Sequence, residues 1–331
     1  MLLSDLKALL EADVKTILAS DFEIKITDTT TVPSITDEGI TFPNLDTKIQ
    51  KAKRIETCIL YIDIRKSTDL NLSHKPITLT RLYSSFVRSM AKSSEFYGGK
   101  VRNIIGDRLM VVFDKENCFK NAVNTAILLN SVATRVLNKL FTNNEVTCGI
   151  GIDYGKMLVS KAGIRKNGDE NIPYKSLVWL GRPANIASKL TDLANKTIVK
   201  EISYQTPIVR EGYKYPSTNE WIWFATDLET FLNNHLKKDL ENRPGELGYR
   251  PVYRHTKDYF QGFYLSSKEK NESSTINTPS ILMTKEVYEG FKKDNPEADS
   301  IKNDWWKKQS DNLLKDYEVY GSSLYFTTFD T

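Results

Sequence analysis

The order of apolar segments predicts an α+β fold. Its centre is a ferredoxin-like βαββαβ sheet with helices on one face, preceded by an N-terminal helix and interrupted by an insertion. Three observations carry this. An apolar run at 55–63 reads as a buried strand, followed by a helix at about 76–97 with Leu82, Phe86, Met90 and Phe96 at helical spacing. The stretch "GGKVRNIIGDRLMVVFD" then reads as two strands turning at Gly106-Asp107. A second helix at about 116–139 leads into "EVTCGIGIDYGKMLVS", read as a strand pair turning near Tyr154-Gly155.

Each element follows from its neighbours. Leu2, Leu3, Leu6, Leu9, Leu10, Val14, Ile17 and Leu18 predict an amphipathic helix over 2–18. Residues 21–50 are strand fragments and turns punctuated by Pro33 and Pro43. After "KSLVWLG" a third helix starts near Pro183. Residues 200–278, rich in Trp, Tyr, Asn and Pro, fit the sheet plan poorly and read as a packed insertion, since disordered segments are poor in aromatics. The plan resumes at "PSILMTKEVYEGFKK" and ends on a strand pair near "YEVYGSSLYFTTF". The expected division is 1–54, 55–199, 200–278 and 279–331.

Composition narrows the function. With 331 residues, 40% apolar and 27% charged, the chain has the make-up of a soluble globular protein. A net charge of +4 calls for neither a nucleic-acid nor a membrane partner. The acids within the first helix argue against a signal or transit peptide, and no apolar stretch suits a bilayer. Cys58, Cys118 and Cys148 read as reduced core cysteines of a cytoplasmic protein. The three histidines, His74, His235 and His255, stand in unrelated settings, which argues against a histidine-based zinc site or a Ser-His-Asp triad. Any metal is then expected on oxygen.

Such oxygen ligands are at hand. Asp63 ends the first strand and Asp107 sits in the hairpin turn of what should be the neighbouring strand. Two carboxylates that close repel unless cations bridge them. Mg²⁺ or Mn²⁺, two ions sharing their shells with substrate phosphates, suit the pair. The turn after Asp63, with Arg65, Ser67 and Thr68, offers amides, hydroxyls and a cation to a polyphosphate. Alone, Ser67 and Thr68 would read as helix caps and Gly106-Asp107 as an ordinary turn.

The blocks "LYIDIRKST", "IIGDRLMVVF", "GIGIDYGKMLVS" and "VWLGRPANIASKL" resemble, in order and spacing, the signature blocks of class III nucleotidyl cyclases. The N-terminal "SDFEIKITDTTTVPSI" and "ITFPNLD" further resemble the bacterial antiphage Pycsar cyclases, which make cyclic CMP or cyclic UMP. The resemblance implies a class III catalytic domain with Asp63 and Asp107 as metal ligands and the Ile64 carbonyl as an accessory one. It implies Asn185 on the ribose and Lys189 where the family usually has a phosphate-binding arginine. Lysine keeps that charge without the bidentate fork. Tyr320 stands near where many members carry a triphosphate-binding lysine, a role that then falls to Arg65 or Lys66 or is absent. At the two base-reading positions the chain has Asn103 and Val178, neither of the purine pairs. The resemblance therefore implies a cytoplasmic pyrimidine cyclase acting on CTP or UTP, a head-to-tail homodimer with shared sites serving antiphage defence. The alternatives are an adenylate or guanylate cyclase, and a degenerate nucleotide-binding dimerisation module.

Overall fold

The computed structural model describes residues 2–141, 146–162, 165–166, 169–170, 176–242, 249–310 and 313–330. Helix α1 (Leu3–Ile17) follows the leucine periodicity, yet none of its residues is buried. Strand β1 (Glu23–Thr29) pairs in parallel with the start of β2 (Ile49–Ile64), which makes β2 longer than the apolar run alone predicts. Helices α2 (Ser67–Ser73) and α3 (Pro76–Phe96) lead to the hairpin β3 (Lys100–Ile105) and β4 (Arg108–Val112). Helix α4 (Cys118–Ser131) continues through a π-helical stretch, Val132–Leu137, into α5 (Asn138–Leu140).

The next segment differs from the expected strand pair. β5 (Cys148–Ala162) is one continuous strand, antiparallel to β2 from Cys148 opposite Ile64 to Val159 opposite Lys53. This long partner overrides the turn signal. Gly155, at φ +151°, absorbs the local distortion without breaking the pairing. Glu145, expected to open this strand, and Lys175, expected near the next one, lie outside the described residues. The short strands β6 (Arg165–Lys166) and β7 (Asp169–Glu170) pair with each other, and β8 (Ser176–Leu180) pairs with the end of β5. Helix α6 (Arg182–Leu193) follows.

Further on come β14 (Ile281–Thr284), α8 (Lys285–Asp294), α9 (Asp299–Lys302), β15 (Lys307–Lys308) and β16 (Val319–Ser322), after an intervening segment treated below. Near "YEVYGSSLYFTTF" β16 is a single strand, held between β14 and β15 instead of folding back on itself. The sheet runs β15-β16-β14-β5-β2-β4-β3, with β1 beside β2 and β8 beside β5.

Alternation along β2 sorts its side chains between two layers. Cys58, Leu60, Ile62 and Ile64 pack with Phe86 and Met90 of α3, Val123 of α4 and Phe291 of α8. Ile55 and Ile59 face the other way, against Met110, Met157 and the small Ala184 and Ala187 of α6. So α3, α4 and α8 cover one face, and α6 covers the other. The motif Gly149-Ile150-Gly151-Ile152 explains the second layer: both isoleucines are buried on the α3 side, and both glycines face α6. A Cβ on Gly151 would overlap the Ala187 carbonyl and the Thr191 amide.

Contacts divide the chain into two compact units, Met1–Thr197 with Asn277–Thr331, and Ile198–Ile276. The second unit holds β9 (Thr197–Lys214), β10 (Trp221–Asp227), α7 (Leu228–Thr230), a π-helical turn Phe231–His235, β11 (Leu236–Asn242), β12 (Tyr249–His255) and β13 (Phe260–Asn277). β10, β9 and β13 form one sheet in that order, and β11 and β12 a hairpin. Here the structure corrects the expectation about histidines: His235 and His255, far apart in sequence, converge on Glu211. The three cysteines are buried and free.

The close approach of α6 to β5 has a direct consequence. Replacing Gly151 by Ala should cost about 1–3 kcal/mol of stability, because backbone must move to admit the methyl group. Urea unfolding of the variant measures it, and an unchanged midpoint would show that α6 does not need the glycine.

Candidate active site

The end of β2 meets the start of β4 at the edge of the buried sheet. Ile62 lies opposite Leu109, and Asp63 lies opposite Gly149 on the other side. Gly106, at φ +62°, makes the turn that brings Asp107 back over Asp63. Asp63 and the Ser67 hydroxyl are near enough to act on the Asp107 carboxyl, the first raising it and the second lowering it. Burial first, then the charge of Asp63, raises Asp107 above the ordinary carboxylate range. Its Oδ2 is buried with no hydrogen-bond partner among the described residues. An orphaned carboxylate oxygen beside a second carboxylate is an oxygen-only donor set, and it fits a hard divalent cation.

Sequence reasoning missed a residue here. The Arg108 guanidinium lies on Asp63, with Nη2 2.6 Å and Nε 3.2 Å from the same Oδ2. It also donates to Ser188 Oγ at 2.9 Å and to the Asp192 carboxylate, both on α6. Burial opposes the charge on Arg108, but the hydrogen bonds to Asp63 and Asp192 outweigh it and keep the group firmly cationic. The signal was in the sequence: a charged residue directly after a Gly-Asp turn enters an otherwise apolar strand.

The other expected residues divide. Ser67 opens α2 and acts on Asp107, and Thr68 follows it in the first turn of that helix. Arg65 points inward: its side chain is only 7% exposed and packs where a Cβ on Gly149 would sit. Nη1 donates to the Asp192 carbonyl at 3.3 Å and Nη2 is 3.8 Å from Asp63, so its charge acts on Asp63 from within the protein. The Arg65 amide is already committed to the Thr147 carbonyl. Ile64 ends β2 opposite Cys148 with its side chain in the core. Asn185 and Lys189 are exposed on α6, on the same surface as Ser188, and neither bonds to Asp63 or Asp107 among the described residues.

The two base-reading candidates are apart within one chain. Asn103 is exposed on β3 opposite Met110, two residues before Ile105 at the turn end of the strand. Val178 pairs with Ser160, eleven positions along β5 from Gly149, or roughly 35 Å of strand. Tyr320 is stacked on Tyr288 with ring centroids 4.1 Å apart, which leaves that position packed instead of cationic. No helix among the described residues is long and apolar enough to cross a membrane.

The adenylate and guanylate cyclase catalytic domain family matches residues 49–220, just over half of the chain. A uridylate cyclase from Gulbenkiania mobilis is 32% identical over 192 residues, 54% of this chain and 71% of that protein. A uridylate cyclase from Xanthomonas perforans is 28% identical over 211 residues, covering 61% and 87% respectively. Among solved structures, the adenylyl cyclase CyaB from P. aeruginosa has a TM-score of 0.44 at 15% identity, covering 82% of this chain and 94% of that one. The chain belongs to the class III nucleotidyl cyclases, lyases whose chemistry uses divalent metal.

The raised Asp107 carboxyl sets a sign. A carboxyl raised above its unfolded value favours the fold only at low pH, and that contribution is lost as pH rises through the folded value. Metal-free Asp107→Asn protein should therefore unfold ~2–4 °C above its parent at neutral pH, a gain that shrinks towards pH 4. It should also lose the stabilisation that Mn²⁺ gives its parent. Thermal scans at both pH values, with and without Mn²⁺, test this; a variant less stable than its parent at neutral pH would refute the repulsion.

Proposed function

We propose that this cyclase converts a pyrimidine nucleoside triphosphate, UTP ahead of CTP, to the 3′,5′-cyclic nucleotide and pyrophosphate. What carries the reading is the similarity to proteins named uridylate cyclases, in a chain whose family match at 49–220 holds Asp63, Asp107 and Asn185. The base positions support it. Asn103 offers an amide, which donates or accepts, and Val178 offers only shape, so neither purine-reading pair is available.

In the reaction the ribose 3′-oxygen attacks the α-phosphorus in line with the departing pyrophosphate. A phosphorus–oxygen bond forms at the ribose, the α–β bridge breaks, and the hydroxyl proton leaves. Two divalent ions, Mn²⁺ or Mg²⁺, held by Asp63, Asp107 and the Ile64 carbonyl, would supply the Lewis acidity that this charge separation needs. Ser67 and Thr68 bind phosphate oxygens with their hydroxyls, and Arg65 adds a buried positive charge behind Asp63. Asn185 orients the ribose, and Lys189 carries charge to the phosphates as a single point instead of a fork.

Asn103 and Val178 lie at different ends of the sheet, and Asn185 and Lys189 face solvent. A head-to-tail homodimer, in which one subunit's carboxylates work with its partner's α6, uses both facts. The wider reading is a cytoplasmic enzyme whose product is a second messenger in antiphage defence.

Two measurements follow. With Mn²⁺ and equal concentrations of the four nucleoside triphosphates, cyclic UMP should be the main product by mass spectrometry, with cyclic CMP second. Cyclic AMP or cyclic GMP as the main product would refute the pyrimidine reading and leave the cyclase standing. Separately, Asp63→Ala and Asn185→Ala proteins, each inactive alone, should regain activity at one of the two sites of their heterodimer. A mixture as inactive as its parents, with subunit exchange verified, would rule out sites shared between subunits.

A further inference from the structure

β9 carries Val209, Glu211 and Tyr213 on one inward row, and its middle member is a fully buried carboxylate. An isolated carboxylate among apolar side chains is strongly unfavourable without compensating charge. Two imidazoles reach it from different elements. His235, at the end of the π-helical turn, places Nδ1 2.9 and 3.0 Å from the two Glu211 oxygens. His255, at the end of β12, places Nε2 2.9 Å from Oε2. One ligand atom from each residue lies within 4.8 Å of the others. The Tyr213 hydroxyl donates to Oε2 at 2.6 Å.

We propose that Glu211, His235 and His255 form a zinc site that staples the unit Ile198–Ile276. The donor set is right for the ion: two imidazole nitrogens and a carboxylate oxygen, with one position left for water. The nitrogen–carboxylate spacing fits. Ligands about 2.0–2.1 Å from zinc in a tetrahedron stand about 3.3 Å apart, a few tenths of an ångström beyond the distances from the two imidazoles to Glu211. The groups are held in place: His255 stacks on Phe260 at 3.9 Å with planes 5° apart, and Tyr213 aims the carboxylate.

An independent observation points to the same need. Among the described residues of this unit, the buried apolar side chains are Ile208, Val209, Tyr213 and Phe231. So few cannot support a lobe of this size alone, and small lobes of that kind are commonly held by a metal or disulfides. One contact works against zinc. The Lys257 amide donates to His255 Nδ1 at 3.1 Å, which in the metal-free form keeps the proton on Nε2. Loading the ion shifts that proton to Nδ1 and turns the amide away, the loss of one neutral hydrogen bond against two zinc–nitrogen bonds.

The site uses neither Asp63 nor Asp107, and the proposal stands whether or not the pyrimidine reading does. The test uses the full chain with Asp63→Ala and Asp107→Ala, so that the catalytic carboxylates take up no ion. Chelator-treated protein titrated with Zn²⁺ should bind one ion per chain and unfold at higher temperature. Titrated with Co²⁺, it should show the intense visible absorption of a four-coordinate site. Glu211→Gln and His255→Gln should lose uptake and spectrum together, and Tyr213→Phe should bind about 10–100-fold more weakly. If a ligand variant does not fold, the stoichiometry and Co²⁺ spectrum of its parent decide. A parent that takes up no ion, or a Glu211→Gln protein that binds as well as its parent, would overturn the proposal and leave a cluster joined by protons alone.

Discussion

The pairing of β2 with β4 and β5 holds Asp63 and Asp107 against each other, and the rest of the catalytic unit is arranged around that constraint. A sheet cannot relieve the repulsion by sliding, because a shift of one residue would turn Leu60 and Ile62 away from α3 and put Ile59 and Tyr61 in their place. The hairpin turn cannot open either without breaking the pairing of β3 with β4. Burial, and then the facing charge of Asp63, raise the Asp107 carboxyl instead.

The second layer serves the same end. Gly149 sits opposite Asp63 in the sheet, and its missing side chain is the space that the Arg65 guanidinium occupies. Two residues along, Gly151 lets α6 come down onto the strand, which places Ser188 and Asp192 within reach of Arg108. One dipeptide repeat of glycine and isoleucine thus supplies a core on one face and a charged wall on the other.

How legible this was varied with the range of the interaction. The helices α3, α4 and α6 and the β3–β4 hairpin were readable because their signals are local: helical spacing of large apolar residues, and a Gly-Asp turn. The two aspartates were readable because they end elements whose neighbours in the sheet follow from the strand order. The continuity of β5 was not, since the Tyr154-Gly155 signal is local and the pairing with β2 that overrules it is not. The inward turn of Arg65 and the reach of Arg108 were not legible, for one reason. Sequence shows that a cation follows a turn, but only packing shows which way it points. His235 and His255 are twenty residues apart, on a π-helical turn and a hairpin strand, and no spacing rule joins them to Glu211.

Arg108 also sets the resting state of the carboxylate pair. Both of its contacts to Asp63 fall on a single oxygen, Oδ2, and it bonds α6 at two further points. A cation on that oxygen must share it with the guanidinium or displace it. Displacement would leave Asp192, a half-exposed acid, facing the same opening. The site is then closed by an ion pair in which the arginine stands in for positive charge from outside. Arg108 grips Ser188 and Asp192 together with Asp63, so its release would remove one tie between that end of the sheet and α6, the helix that presents Asn185 and Lys189. The bonds of Arg65 to the Asp192 carbonyl and of Thr191 to the Tyr61 carbonyl, and the buried face of α6 on Gly151, would still seat the helix.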